Sequence, residues 1–119
     1  MDLIIGGAYQ GKLDYAREKF SIRDSDIFLC SSQAEIDTTR RCIYHFEEYV
    51  LFCVRSGKVP ELIFRDDAVI ICDDISCGVV PMSAENRLWR EETGRALVCL
   101  ARQAESITRV FCGLPHILK

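Results

Sequence analysis

The chain has 119 residues, a net charge of -3 and 49% hydrophobic residues. This length suits one domain with one core and is too short for two. The slightly acidic balance gives no electrostatic reason to expect a nucleic-acid partner. No apolar run reaches the roughly 20 residues of a membrane span, and the N-terminus lacks the basic start and long apolar stretch of a signal peptide. We therefore expect one cytoplasmic domain, residues 1–119.

Seven cysteines are many for this length. Their number is odd, no two form a CxxC pair and only two histidines accompany them, which argues against a zinc site or a disulfide framework. We expect reduced cysteines that pack as small hydrophobic side chains, above all Cys30, Cys72 and Cys112, which lie in or just after apolar runs. The other four are Cys42, Cys53, Cys77 and Cys99.

The first half of the chain alternates apolar and helical patterns. A short buried strand is predicted at residues 3–6, a helix at 11–20 and a second buried strand at 26–30. From residue 34 to about residue 55, apolar side chains recur at intervals of three and four, which predicts a long helix. The glycine- and proline-containing residues 56–60 end it.

The second half continues this alternation. Residues 61–64 are apolar, but their pattern does not decide between helix and strand, and they lie within the only plausible linker, 56–67. A third buried strand is predicted at 68–72, a long helix at 82–104 and a final strand at 108–112.

Strands that are apolar on both faces and alternate with helices are typical of a mostly parallel sheet covered on two sides. We therefore predict an α/β fold with a small, mostly parallel sheet of about four to five strands. Together with the glycine loop that follows the first strand, this indicates a three-layer sandwich of the P-loop type.

That loop carries the most specific motif in the chain. Gly6, four residues, Gly11 and Lys12 have the spacing of a P-loop, in which backbone N–H groups, the next helix N-terminus and the lysine bind phosphates. The next position holds Mg²⁺ through Ser or Thr in that motif, but here it is Leu13. The alternative is a plain glycine turn with a surface lysine. The predicted nucleotide-binding residues are Gly6, Gly7, Ala8, Tyr9, Gln10, Gly11, Lys12 and Leu13.

His45 is the candidate catalytic residue. An imidazole can attack phosphorus and form a covalent intermediate, which divides a transfer into two steps. Arg41, close by in the sequence, could pair with phosphates. The alternatives are a histidine at a helix surface or boundary and an arginine on the solvated face of the same helix.

Two further groups could contact a substrate or its phosphates. Asp73 and Asp74 follow the third strand, and carboxylates at the carboxyl end of a parallel strand could hold a metal or a ribose hydroxyl. The alternative is a strand-ending turn, which Asp favours. Arg87, Arg90 and Arg95 are spaced to lie on neighbouring turns of the last helix, where Arg95 could equally form an ion pair with an acid one turn earlier.

In combination these pieces resemble the bifunctional adenosylcobinamide kinase / adenosylcobinamide-phosphate guanylyltransferase family of cobalamin biosynthesis. The loop that ends at Lys12 is similar to the family's opening loop, and His45 falls where the family has its guanylylated histidine. Residues 73–81 are similar to the family's Asn-Glu-Val-Gly-x-Gly-Ile-Val-Pro segment. Residues 87–95 and 113–119 also match, so the resemblance covers most of the chain outside its middle.

The resemblance implies a P-loop α/β enzyme with two activities. One phosphorylates the hydroxyl of adenosylcobinamide, and the other transfers GMP from GTP through a histidine onto the phosphorylated product. It also implies GTP or ATP as the bound nucleotide, a corrinoid substrate and assembly as a homo-oligomer, a trimer in that family.

Departures from the family pattern concern the metal. Leu13 replaces the Ser or Thr that binds Mg²⁺, Asp73-Asp74 replaces Asn-Glu, and the shortened middle lacks the segment with the Walker-B type carboxylate. Asp73 or Asp74 could stand in. Because phosphoryl transfer depends on a metal between the phosphates, kinase activity is the weakest expectation. Three alternatives stay open: a reduced but active enzyme, a nucleotide-binding or regulatory module without chemistry, and a structural remnant.

Overall fold

The computed structural model describes residues 1–75 and 83–119. The part of the predicted 73–81 turn that follows residue 75, and the predicted helix start at residue 82, lie outside the described residues. No helix within the described ranges has the length and apolar character to cross a membrane. The elements, in chain order, are β1 (Asp2–Gly6), α1 (Lys12–Phe20), a 3-10 helix (Asp24–Asp26), β2 (Ile27–Leu29), β3 (Cys42–Tyr44), α2 (Phe46–Ser56), β4 (Val69–Asp73), α3 (Ala84–Gln103), β5 (Ser106–Phe111) and β6 (Leu114–Ile117).

The strands of the described residues form one open sheet in the order β2-β3-β4-β1-β5-β6. β1 to β5 run parallel, and β6 is antiparallel to β5. The fold is therefore α/β with a mostly parallel sheet, as predicted. The sheet has six strands in this part of the chain, where four to five were expected, because β3 and β6 were not foreseen.

The helix predicted from residue 34 to about residue 55 is wrong in its first half. Residues 42–44 form β3, which pairs with β2 and β4, and α2 begins only at Phe46. A strand of three residues shows no period of its own, so its apolar side chains also fitted a helical spacing. As a consequence, His45 lies immediately before α2, with a φ of 59° in the left-handed region.

Helices cover both faces of the sheet. Along β1 and β4, Leu3 and Ile70 face one side, and Ile4 and Ile71 face the other. α2 and α3 pack on the first face and α1 packs on the second. A parallel sheet that is buried in this way needs strands that are apolar on both faces, which is the pattern seen in the sequence. The buried face of α2 includes Phe46, Tyr49, Val50 and Cys53.

The segment between α2 and β4, most of which falls in the predicted linker, packs back onto α2. The backbone N–H of Glu61 donates to the Tyr49 hydroxyl at 2.7 Å. The ring of Phe64 meets that of Phe46 edge-on, with centroids 6.0 Å apart. Residues 57–68 therefore return the chain to β4 in contact with the core.

Four cysteines behave as small core side chains. Cys30, Cys42, Cys53 and Cys72 are buried free thiols, and this agrees with the prediction for the two of them that follow apolar runs. Burial raises the pKa of Cys30 to about 12 and that of Cys42 to about 11. The prediction is wrong for Cys112, which is exposed because β5 ends one residue earlier and the chain turns there.

Candidate functional site

The candidate site lies at the carboxyl ends of β1 and β4, which are neighbouring parallel strands. Gly6, the last residue of β1, is paired in register with Asp73, the last residue of β4. The chain leaves β1 toward α1 on one face of the sheet, whereas α3, the helix that follows β4 among the described residues, packs on the other face. A crevice opens between adjacent strands whose connections diverge in this way, and α/β proteins bind ligands there.

The glycine loop crosses this crevice. A methyl group added to Gly6 would collide with the carbonyl oxygen of Val110. Gly11 has a φ of 90°, in the left-handed region that glycine adopts at little cost. Gln10 ties the loop to the β5–β6 turn: its side-chain oxygen accepts the N–H of Cys112 at 2.6 Å, and its backbone oxygen accepts the following N–H at 2.8 Å. The loop is thus held from the β5 side of β1.

Lys12 begins α1 and points into the crevice. Its side chain is only 4% exposed, its Nζ lies 2.7 Å from Oδ1 of Asp73, and it also donates to the carbonyl oxygen of Gly7. The alternative interpretation, in which Lys12 is a surface lysine, is therefore wrong. Gly11, the residue before the helix, gives the first-turn N–H groups of α1 no side-chain acceptor. These N–H groups and the ammonium form the electropositive part of the site.

His45 reaches the same place from the junction of β3 and α2. Its ring stacks on that of Tyr44, with centroids 4.0 Å apart. Its Nδ1 lies 3.3 Å from Oε2 of Glu47 and 3.8 Å from Oδ2 of Asp73. One nitrogen of the imidazole therefore faces two carboxylates, while the side chain is 33% exposed.

Glu47 is a member of the site that the sequence did not reveal. Its side chain is 3% exposed, and its Oε1 accepts the backbone N–H of Asp73 at 2.7 Å. Burial raises the pKa of Glu47; the hydrogen bond from the Asp73 backbone lowers it, and the Asp73 carboxylate raises it further. The only signal in the sequence is an acid two residues after a candidate histidine. The helix predicted over residues 34–55 hides this signal, because it places both residues inside one helix.

Lys12, His45 and Asp73 line one cleft of about 310 Å³. The cleft is open, because the Tyr9 side chain is fully exposed and Leu13 packs in part against the core on the α1 side of the sheet. The remaining lining residues are Ala8, Tyr9, Gln10, Gly11, Leu13, Asp14 and Tyr44.

Two predicted phosphate contacts lie away from this cleft. Arg41 precedes β3, at the opposite end of that strand from His45, and its Nε is 3.7 Å from a carboxylate oxygen of Asp67. Arg95 lies inside α3 and pairs with Glu92 at 2.8 Å. The structure therefore brings neither arginine to the loop.

Three other predicted contacts do not line the cleft either. Asp74 follows β4, and its backbone N–H donates to the Gly6 carbonyl oxygen at 2.7 Å. Arg87 and Arg90 lie in the first two turns of α3. Of the predicted contacts outside the loop, the fold brings His45 and Asp73 to Lys12.

Three potential metal ligands converge beside the loop. One nitrogen of His45 and one oxygen each of Glu47 and Asp73 lie within 4.8 Å of one another. This mixed donor set suits Zn²⁺ or Mn²⁺ better than Mg²⁺, which prefers oxygen ligands. For a nucleotide-bound Mg²⁺, Asp73 could supply one oxygen, whereas the Leu13 side chain supplies none. The residues present therefore fit Mg²⁺ only in part.

A scan of the chain against protein-family models found no match, and a search of curated proteins found no similar sequence. The resemblance to cobinamide kinase/guanylyltransferases therefore stays an expectation that rests on the motif residues.

Proposed function

We propose that this protein binds a nucleoside triphosphate, GTP or ATP, in the cleft beside the loop of residues 6–13 and transfers GMP from GTP through His45 to a phosphorylated corrinoid, adenosylcobinamide phosphate. The observation that carries the proposal is the convergence of Lys12 and His45 on one cleft, although they come from different elements. A phosphate clamp and a nucleophile for phosphorus must be neighbours for such a transfer.

In the proposal, the start of α1 binds the phosphates of the nucleotide. Its first-turn N–H groups and the Lys12 ammonium can bind phosphate oxygens, and the helix dipole favours an anion there. Gly6 and Gly11 let the backbone run close to the ligand.

The proposed transfer has two balanced steps. Nε2 of His45 attacks the α-phosphorus of GTP, an N–P bond forms, and the bond to the departing pyrophosphate breaks. A phosphate oxygen of the acceptor then attacks the same phosphorus, the N–P bond breaks, and the imidazole is restored. No change of oxidation state is needed.

Phosphorylation of the corrinoid hydroxyl is not part of the proposal. That reaction depends on a metal ion that neutralises charge between the phosphates. Leu13 stands at the position that would supply a hydroxyl ligand, and Asp73 is already paired with Lys12.

The test is incubation of the protein with GTP labelled at the α-phosphorus, followed by denaturation. We expect a covalent adduct that is labile in acid and stable in base, and that is absent from His45→Asn. His116→Asn is the matched control, because His116 lies in β6, away from the cleft, and this variant should retain the adduct. A wild-type protein that forms no adduct, or a His45→Asn variant that keeps it, would contradict the proposed transfer.

A second candidate function is a nucleotide-binding or regulatory module without chemistry, favoured by Leu13 and by the pairing of Lys12 with Asp73. It predicts measurable GTP or ATP binding without any adduct. That binding should be lost in Lys12→Ala and kept in Lys19→Ala, a control on the exposed side of the same helix. The trimer implied by the resemblance belongs to both candidates and can be tested by light scattering.

A further inference from the structure

We infer that Glu47 is a positioning residue for His45: its buried carboxylate holds the imidazole with the proton on Nδ1, so that Nε2 presents its lone pair to the cleft. The catalytic use of this arrangement rests on the proposed function. The arrangement itself is a property of the folded chain and can be measured without a nucleotide.

Glu47 is fixed on two sides. Its Oε1 accepts the N–H of Asp73 at 2.7 Å, and its backbone oxygen accepts the indole N–H of Trp89 at 2.7 Å. With Oε1 engaged, Oε2 is the oxygen that faces Nδ1 of His45, at 3.3 Å. A carboxylate held in this way can accept a hydrogen bond from Nδ1–H, which keeps the proton on that nitrogen and favours one tautomer of the imidazole.

Asp73 is less suited to this role. Its Oδ1 pairs with Nζ of Lys12 at 2.7 Å, and its Oδ2 lies 3.8 Å from Nδ1, beyond hydrogen-bond distance. The contact from Glu47 is shorter by half an ångström and comes from the more buried carboxylate. Asp73 therefore orients Lys12 and Glu47, whereas Glu47 orients the histidine.

The backbone and the neighbouring ring limit the direction of the His45 side chain and the rotation of its imidazole. Its φ of 59° sets the direction of the side chain, and its carbonyl oxygen accepts the N–H of Glu48 at 2.9 Å as α2 begins. The stacked ring of Tyr44 restricts rotation of the imidazole. With Nδ1 turned toward Glu47, Nε2 is the nitrogen left for the open side of the cleft.

This tautomer matches the proposed chemistry. When Nε2 bonds to phosphorus while Nδ1 keeps its proton, the ring becomes cationic, and the adjacent carboxylate stabilises that charge. No proton has to leave in the first step. When the N–P bond breaks in the second step, the same neutral tautomer returns.

Nitrogen NMR of protein labelled at its histidine nitrogens tests the inference, and His116→Asn shows which signals belong to which of the two histidines. At a pH where the imidazole is neutral, we expect His45 of the wild type to carry its proton on Nδ1. In Glu47→Gln the amide oxygen can still accept the Asp73 N–H, but the amide N–H₂ then faces Nδ1, so the proton should move to Nε2. Glu48→Gln makes the same chemical change at the next residue and should leave the tautomer unchanged.

Two results would overturn the inference. One is a wild-type His45 that carries its proton on Nε2 or that keeps its tautomer in Glu47→Gln. The other is a His45 signal that changes on addition of EDTA or of Zn²⁺ at stoichiometric concentration, since His45, Glu47 and Asp73 would then act as a cation site.

The rate of adduct formation separates this inference from the proposed function. If the adduct forms, Glu47→Gln should slow its formation by about 100-fold, with GTP affinity unchanged within about twofold, and Glu48→Gln should have no effect. An unchanged rate in Glu47→Gln would contradict the positioning role. The predicted tautomer in a wild type that forms no adduct would leave Glu47 as the orienting group and contradict only the transfer.

Discussion

At the scale of single residues, the ion pair between Lys12 and Asp73 joins two elements that line the cleft. The pair joins the first residue of α1 to the last residue of β4, and the lysine end is almost fully buried. Such a pair adds little net stability, because both charges lose their hydration on burial. Removing one partner is costly, since the other charge then stays buried without compensation.

We therefore expect Lys12→Ala to lower the free energy of unfolding by about 3 kcal/mol. Lys19→Ala, on the exposed side of the same helix, should change it by less than about 0.5 kcal/mol. Urea denaturation followed by circular dichroism measures both. In the double variant Lys12→Ala/Asp73→Asn much of the loss should be recovered; equal losses in the single and double variants would show that the pair itself is not the cause.

At the scale of the elements, the sequence predicts long apolar strands well and short ones poorly. β1 and β4 carry enough consecutive apolar residues to be assigned from the sequence, and the motif then locates α1. β3 was missed because three residues do not define a period and its pairing with β2 and β4 decides its conformation. β6 was missed because its four residues are exposed and include Pro115, so they carry no strand pattern.

The same error limited what could be inferred about the site. The sequence marks Lys12, His45 and Asp73 as residue types with suitable chemistry. They meet because Asp73 ends β4, His45 directly follows β3 and Lys12 follows the loop after β1, and these strands run parallel. Glu47 could not be found, because it comes within reach of His45 only when the strand ends at Tyr44 and the helix starts at Phe46.

A test at this scale concerns the glycine inside α3. A methyl group added to Gly94 would meet no described atom within 4 Å, so neither close packing nor backbone strain explains the glycine. Gly94→Ala should therefore stabilise the protein by about 1 kcal/mol, the helix-propensity difference. Gly57→Ala also has free space, but its φ of 66° is unfavourable for alanine, and it should destabilise by about 1 kcal/mol. Thermal unfolding that gave both variants the same sign would contradict this reading.

The β5–β6 hairpin gives a second element-scale prediction. Phe111 pairs with Leu114, so Cys112 and Gly113 form a two-residue turn, and both have positive φ values, 51° and 76°. This is the type I′ geometry, for which Asn-Gly is the preferred pair. Cys112→Asn should raise stability by about 0.5–1 kcal/mol, whereas Cys112→Val should lower it, as measured by urea midpoints. No difference between the two variants would argue against a strained Cys112.

At the scale of the whole molecule, the reactivity of the cysteines measures how well the core is shielded from solvent. Burial raises the pKa of Cys30 to about 12 and that of Cys42 to about 11, so at neutral pH both are thiols without access to solvent. Cys112 is exposed in the hairpin turn. Since the thiolate is the reactive form, a raised pKa and burial both slow alkylation.

Iodoacetamide at about pH 8 should therefore label Cys112 in the folded protein, and peptide mass mapping should find Cys30, Cys42, Cys53 and Cys72 unlabelled. Addition of urea above the unfolding midpoint should make all four reactive. Raising the pH without urea should accelerate labelling of Cys112 before that of the buried thiols, because burial raises the pKa of each of those thiols and keeps reagent away from them. Early labelling of Cys30 or Cys72 in the native state would mean that the core opens locally.

The Lys12–Asp73 pair also bears on what kind of ligand suits the cleft. Lys12 already has a counter-charge in Asp73. Under the proposed function, a phosphate that binds Lys12 has to replace Asp73 as its partner. The Asp73 carboxylate then loses its cationic partner, which is unfavourable unless the incoming molecule brings a positive charge. A triphosphate with a divalent ion could pair with both groups, its phosphate with Lys12 and its ion with Asp73. A bare inorganic anion could pair only with Lys12. If the proposed function holds, the contact between Lys12 and Asp73 therefore favours a triphosphate with its divalent ion over a bare anion.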